Sequence, residues 1–151
     1  MDFQTPIYVC DYMVSLLPPR CYKILEPTPG EGNLVRAILK KDHGTEVHAT
    51  KDFWKVEGVF DAIAMNPPFS PMDVGYKILD KCMEMSENII ALMPWLTMIN
   101  SEKRTKKIME FGLISITHLP RNVFKGSRVQ TCILRMSKSY AGITSFYNGT
   151  Q

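Results

Sequence analysis

Short apolar segments alternate with amphipathic ones along nearly the whole chain, and this alternation constrains the fold more than any other feature. Residues 22–26 and 60–65 have the length and composition of buried strands, whereas residues 33–41 and 74–85 place apolar side chains at helical spacing. Strands that alternate with helices in this way predict an α/β fold with a doubly wound, mostly parallel sheet.

The remaining elements follow the same reasoning. Thr5 as N-cap and Pro6 at the first helical position predict a helix that continues to Leu17, where Pro18-Pro19 ends it. The last two predicted strands have only a loop between them, so we expect an antiparallel hairpin at one edge. The span from Thr50 to Phe60 is too short for a full helix and strand, so the other edge could lack one strand. The other predicted segments are strands at 46–50, 88–94, 113–119 and 131–136 and a helix at 101–111.

Composition adds few constraints. The 151 residues, of which 45% are hydrophobic and 22% charged, suit one globular domain. A formal charge of +3 is only a slight lean toward a polyanionic partner. The scattered cysteines and histidines show no metal-ligand spacing, so we expect no metal site. No basic leader and no apolar run of about 20 residues occurs, so we expect a cytoplasmic protein without a membrane span.

The loop at residues 26–32, directly after the first predicted strand, is a candidate ligand-binding loop. Gly30 and Gly32 let the backbone approach a ligand, and the following helix offers free N–H groups at its start. Glu26 would repel a pyrophosphate but would suit a cationic amine. The alternative is a simple tight turn between strand and helix.

Asn66-Pro67-Pro68-Phe69, after another buried strand, is the more specific motif. The prolines fix the backbone and have no N–H, while the Asn66 side chain adds a second carbonyl acceptor. Two fixed acceptors can hold both hydrogens of a planar amine and free its lone pair for attack on a methyl group. Phe69 offers a flat face for a base. The alternative is a proline-stiffened exit from the strand.

Together, residues 24–34 and 66–69 resemble the cofactor-binding and catalytic motifs of amino-group methyltransferases that use S-adenosylmethionine. The opening Phe3-Gln4-Thr5-Pro6, followed by an amphipathic helix, resembles the N-terminal cofactor motif of gamma-type adenine-N6 DNA methyltransferases. The resemblance covers residues 3–136. It implies a Rossmann-like methyltransferase domain over residues 1–136, S-adenosylmethionine as cofactor, and adenine N6 in DNA, flipped from the duplex, as the target.

The resemblance also implies roles for particular residues. The catalytic motif comprises Asn66, Pro67, Pro68 and Phe69, with Phe124 stacking on the other face of the flipped base. The implied cofactor-binding residues are Thr5, Pro6, Glu26, Pro27, Gly30, Gly32 and Asn66, with Asp52 and Phe53 at the cofactor's adenine. Arg121, Lys125 and Arg128 adjoin Phe124, so they are candidate phosphate contacts whose affinity would fall with salt.

The sequence departs from the family in two places. No acidic residue ends the second predicted strand, where the family binds the cofactor's ribose. Residues 137–151 predict a short polar tail and no separate recognition domain, so DNA specificity would need a homodimer or another subunit.

Several alternatives stay open. Related chemistry acts on RNA (adenine N6 or guanine N2) and on protein glutamine, and the departures would also suit a cofactor-binding module without turnover. The intact motif at residues 66–69 argues against that module. Basic residues of the predicted helix 101–111 are either substrate contacts or a solvated face. They are Lys103, Arg104, Lys106 and Lys107.

Overall fold

The computed structural model describes residues 4–41, 45–50 and 52–149; Phe3 of the N-terminal motif lies outside them. Its strands are β1 (Lys23–Glu26), β2 (Glu46–Ala49), β3 (Ala62–Met65), β4 (Asn88–Pro94), β5 (Leu113–Leu119), β6 (Thr131–Ser137) and β7 (Ser145–Asn148). Its helices are α1 (Ile7–Ser15), α2 (Asn33–Lys41), α3 (Met72–Met85), α4 (Leu96–Ile99) and α5 (Glu102–Phe111), with short 3-10 turns at Phe53–Lys55 and Arg121–Val123.

The seven strands form one sheet in the order β2-β1-β3-β4-β6-β5-β7. Strands β2, β1, β3 and β4 are parallel, whereas β6 is antiparallel to both β4 and β5. The predicted α/β fold with a mostly parallel sheet is therefore confirmed. The antiparallel pair is not at an edge, however, because β7 pairs with β5 in parallel and covers it.

One edge of the sheet differs from expectation, whereas the other agrees with it. Within the segment predicted as a polar tail, Ser145–Asn148 forms β7, so the sheet extends past residue 136. All four of its side chains are exposed, and the strand therefore lacks the apolar alternation that would have revealed it. At the other edge, the described residues between β2 and β3 form the 3-10 turn Phe53–Lys55 and a single bridge from Phe60 to Ser86, without a further helix or strand, as the trimmed edge predicts.

The core lies on both faces of the sheet. Neighbouring residues of β1, Ile24 and Leu25, belong to different hydrophobic clusters, because side chains alternate across a strand. Helices α3 and α5 cover one cluster, and α1 and α2 cover the other. All four cysteines are buried and free, and burial raises the thiol pKa of Cys82 and Cys132 to about 12. They serve as apolar core residues with little nucleophilic character.

The helix ends agree with the sequence at α5 but not at α1. Ser101 caps α5, its hydroxyl oxygen accepting from the backbone N–H of Arg104 at 3.3 Å. For α1, Pro6 is the N-cap residue, and the predicted cap at Thr5 is wrong because the Thr5 hydroxyl bonds Asn66 instead. None of the described helices has the length and apolar character needed to cross a bilayer.

Substitution of Gly112, which ends α5, is expected to destabilise the fold. Gly112 has φ +133°, and an added Cβ would lie 2.1 Å from the Ser137 carbonyl oxygen. Gly112→Ala should therefore lower the free energy of unfolding by about 2 kcal/mol more than Gly58→Ala, measured by urea denaturation. Gly58 is the matched control, since it has φ +111° and nothing within 4 Å of an added Cβ. Equal losses in both variants would contradict the steric argument.

Candidate active site

A cavity of about 870 Å³ lies at the carboxyl ends of β1 and β3. Its walls come from Gln4 and Thr5, from the loop after β1, from the loop after β3, and from residues 126–129. Because parallel strands end at a common edge, both loops singled out in the sequence meet in this cavity.

Glu26, the last residue of β1, places a carboxyl group inside the cavity with only 1% of the residue exposed. Its Oε1 accepts from the backbone N–H of Thr28 at 2.7 Å and from the Thr28 hydroxyl at 3.0 Å. Burial raises the Glu26 pKa to about 7, although the Thr28 hydrogen bonds oppose the shift. A positive charge in the cavity would favour the carboxylate, so this group suits a cationic ligand.

The rest of the first loop shapes the turn between β1 and α2. Pro27 and Gly30 line the cavity, whereas Gly32 does not. Both glycines have positive φ, +51° at Gly30 and +88° at Gly32, which is why these positions favour glycine. The Gly32 N–H donates to the Pro29 carbonyl at 2.7 Å and closes the turn.

Asn66 is held by two hydrogen bonds, one from its side chain and one from its backbone. Its side-chain amide nitrogen donates to the Thr5 hydroxyl, and its backbone N–H donates to the Thr28 hydroxyl at 3.1 Å. The Thr5 carbonyl in turn accepts from the Asn33 amide at 2.9 Å. Because Thr5 engages the amide nitrogen, the amide oxygen of Asn66 is the atom left to accept from a ligand in the cavity.

The prolines and Phe69 complete the second loop. Asn66, Pro67, Pro68 and Phe69 all line the cavity. Helix α3 packs closely on this loop, since a Cβ at Gly75 would lie 3.3 Å from the Pro67 ring. A glycine at that helical position therefore supports the placement of the loop.

The aromatic pair expected to enclose a base has a different arrangement. The Phe69 and Phe124 rings contact each other edge to face, with centroids 5.4 Å apart and planes at 90°. Phe124 belongs to the hydrophobic core beside α1 and is not among the residues that line the cavity. The structure thus brings the two rings together without a parallel slot between them.

Four implied cofactor residues do not line the cavity: Pro6, Gly32, Asp52 and Phe53. Asp52 is exposed and pairs with Lys55 at 3.4 Å. The 3-10 turn points Phe53 into the core, where the Lys81 ammonium lies 4.5 Å from the ring centroid. Thr50, just after β2, lines the cavity instead, and its hydroxyl accepts from the Asp52 N–H at 3.1 Å.

The candidate phosphate contacts are only partly brought to the cavity. Arg128 lines it, and Lys125 is exposed on the same loop. With the Gln130 amide turned so that its oxygen faces Arg121, the guanidinium donates to that oxygen, with its Nε 3.2 Å and its Nη2 3.1 Å away.

The basic face of α5 is largely engaged within the protein. Arg104 donates to the Thr97 carbonyl at 2.9 Å and lies 3.6 Å from the Tyr76 ring centroid. Lys106 pairs with Glu110, and Lys107 pairs with Asp80. Arg104 is thus held against the protein, whereas Lys106 and Lys107 are exposed beside their acidic partners, which fits the solvated alternative.

Six polar residues line the cavity without having been assigned a role from the sequence: Gln4, Thr28, Asn33, Thr50, Ser70 and Ser127. Thr28 and Asn33 lie within the first motif, but their side chains bond residues outside it, Asn66 and Thr5. The spacing of residues in the sequence does not reveal such contacts. Gln4 lies in the N-terminal motif, beside Gly30.

The fold is that of Rossmann-like methyltransferases. A modification subunit of a putative type I restriction enzyme from Vibrio vulnificus YJ016 matches 99% of this chain with a TM-score of 0.78 and 16% identity. The methyltransferase subunit of a type I restriction-modification system from Streptococcus thermophilus matches 97%, with a TM-score of 0.71 and 14% identity. This chain covers 47% of each.

A third similar structure, the 23S rRNA methyltransferase ErmE, matches 91% of this chain with a TM-score of 0.63 and 19% identity, and 70% of its own length is covered. No known family profile matches the sequence. No curated protein matches it either. The chain spans about half the length of the restriction-modification subunits, and at these identities the likeness establishes the fold.

Proposed function

We propose that the protein is an S-adenosylmethionine-dependent methyltransferase that methylates adenine N6 in DNA. The observation that carries the proposal is the Asn66 side chain, oriented by Thr5 in the same cavity that holds the buried Glu26 carboxyl. A ligand-binding protein without turnover has no need of an amide fixed in this orientation.

The cavity fits the proposed cofactor. Its volume lies within the range of nucleotide-sized ligands, and Glu26 supplies a buried acid that suits a cationic amino acid moiety. Thr50 stands at the end of β2, where a hydroxyl can bond the ribose in place of the family's acid. When bound, S-adenosylmethionine supplies an electrophilic methyl group, which passes to the substrate amine as its bond to sulfur breaks.

The residues of the second loop would act on the amine. The Asn66 side-chain oxygen and the Pro67 carbonyl accept its two hydrogens and draw the nitrogen toward a tetrahedral form. The nitrogen lone pair then leaves the ring's π-system and becomes available for attack. After transfer the nitrogen loses one proton to solvent, so no protein group has to change its charge.

Two considerations favour DNA, and one favours RNA. The N-terminal motif resembles that of the DNA enzymes, and the similar structures include restriction-modification subunits. RNA is the second candidate because the similar structures also include a 23S rRNA methyltransferase. A further similar structure, with a TM-score of 0.73 and 17% identity, is of a type I restriction-modification system that assembles as a complex, so we further propose that a second subunit or a homodimer supplies sequence specificity.

The direct test is transfer of labelled methyl from S-adenosylmethionine to duplex DNA, single-stranded DNA, total RNA and protein, assayed side by side. Label recovered from DNA as N6-methyladenine is the expected result. Label in RNA or protein would replace the proposed substrate, and cofactor binding without any transfer would contradict the catalytic assignment for the isolated chain.

Removal of the Thr5 hydroxyl is expected to slow methyl transfer about tenfold. Thr5→Val keeps the shape of the side chain but removes the acceptor that orients the Asn66 amide, whereas Thr5→Ser retains it. The turnover number should therefore fall in the valine variant and recover in the serine variant, with cofactor affinity measured by calorimetry in both. Equal activity in the two variants would show that Thr5 does not position Asn66.

A further inference from the structure

An exposed aromatic ring is held rigidly on the strand that sequence reasoning missed. Phe146 of β7 stacks on Trp95, with ring centroids 5.7 Å apart and planes 25° from parallel. Trp95 is fixed in turn, since its indole N–H donates to His118 Nδ1 at 2.9 Å. Phe146 is nevertheless 65% exposed, so Trp95 supports one face of the ring and the other face is open to solvent. We call Trp95, His118 and Phe146 the aromatic platform.

The platform lies at the carboxyl ends of the parallel strands, as the cavity does. Trp95 directly follows β4, and its backbone N–H donates to the Gln130 carbonyl at 2.9 Å. The two residues before Gln130, Arg128 and Val129, line the cavity. The Gln130 side chain accepts from Arg121. One short segment with two arginines therefore connects the cavity to the platform.

The charge of this part of the chain favours a polyanion. All fifteen acidic residues precede residue 111, and none occurs from there to the C-terminus. The same C-terminal segment carries five basic residues, of which Arg121, Lys125 and Arg128 are on the loop between the cavity and the platform. Residues 88–101, which contribute Trp95, carry no charge at all. A second protein chain that docked through an apolar face would not require this separation of acidic from basic residues.

We propose that the aromatic platform binds an unpaired nucleotide of the nucleic acid whose target base enters the cavity, with the open face of Phe146 as the stacking surface. The inference rests on the proposed function, since it extends the substrate site of that reaction. Exposed aromatic rings beside basic side chains are the usual means of holding single strands, and stacking contributes about 1–3 kcal/mol per base. Base flipping opens the duplex, so a surface for unpaired nucleotides near the cavity would stabilise the opened form.

The test is the affinity of the full chain for labelled oligothymidylate and for duplex DNA, measured by fluorescence anisotropy without cofactor. Phe146→Ala should weaken single-strand binding about tenfold, and Phe146→Leu should not restore it, because the aromatic ring is what binds. Tyr22→Ala is the matched control. Tyr22 is 60% exposed but precedes β1, so it lies at the amino ends of the parallel strands, away from the platform. Its affinity should equal that of the wild type.

The salt dependence of the binding affinity distinguishes stacking from electrostatic contacts. Phe146→Ala should leave the slope of log affinity against log salt unchanged, whereas Lys125→Ala with Arg128→Ala should make it shallower by about 1.4 for single strands. A Trp54→Phe background leaves Trp95 as the only tryptophan of the chain. Because Trp95 stacks on Phe146, its fluorescence emission should change when a nucleotide binds the platform.

The results also distinguish this inference from the proposed function. Loss of affinity in Phe146→Ala supports the platform even where no methyl transfer is found. Wild-type affinity in that variant overturns the platform even where DNA is methylated. A change only in the monomer–dimer equilibrium, measured by sedimentation, would likewise overturn it and assign the ring to contact between copies.

Discussion

Asn66→Ala is expected to reduce the rate of methyl transfer at least about a hundredfold while changing cofactor affinity only a few-fold. The variant removes one of two fixed acceptors that would act on the amine, and loss of a single such group at a reacting centre typically costs two to three orders of magnitude. The Glu26 end of the cavity keeps its own bonds to Thr28, so cofactor binding should persist. Single-turnover kinetics would measure the chemical step, and calorimetry the affinity.

Asn66→Asp is the matched control for this prediction. It keeps an acceptor oxygen but loses the amide that donates to Thr5, so its rate should fall between those of the wild type and the alanine variant. The rates can be compared only where both variants unfold at the same temperature as the wild type. An alanine variant that turns over at the wild-type rate would remove Asn66 from the mechanism.

Glu26→Gln is expected to weaken cofactor binding by about tenfold to a hundredfold at pH 8, and much less at pH 6. The Glu26 pKa is raised to about 7 by burial, so the wild-type group is largely protonated at pH 6 and charged at pH 8. A charged hydrogen bond contributes about 1.5–3 kcal/mol, which the neutral glutamine cannot supply. Titration of the ligand itself is common to both proteins and cancels in the ratio of their affinities.

The same carboxyl makes the stability of the ligand-free protein depend on pH. A pKa raised on folding means that the folded state binds the proton more tightly, so the free energy of unfolding should fall as pH rises from 4.5 to about 7. The loss should be about 3 kcal/mol, constant above that range, and absent in Glu26→Gln. A wild type and a glutamine variant with parallel pH profiles would show that Glu26 titrates as in the unfolded chain.

Most of the sheet was predictable because its strands are apolar and end in recognisable loops. β1 and β3 are buried and lead directly into Glu26 and Asn66, so their pattern located both the strands and the site. β7 escaped prediction because none of its side chains is buried, so its four residues show no apolar alternation.

The parts of the site that were not predictable depend on tertiary contacts. The resemblance assigned Phe53 to the cofactor, but contact with Lys81 on α3 turns it into the core. Thr5 read as a helix cap because Ser and Thr hydroxyls usually bond their own helix, and only the folded chain places Asn66 within its reach.

The hydrogen bonds that connect Glu26, Thr28, Asn66 and Thr5 make the two loops a single thermodynamic unit. The Thr28 hydroxyl donates to the Glu26 carboxyl and accepts from the Asn66 backbone, so a change at one residue alters the partner of the other. Residues within one such network do not contribute independently. Free-energy losses measured separately at Glu26 and Asn66 would therefore not add in a double variant, and the difference would measure the coupling that Thr28 carries between ligand recognition and chemistry.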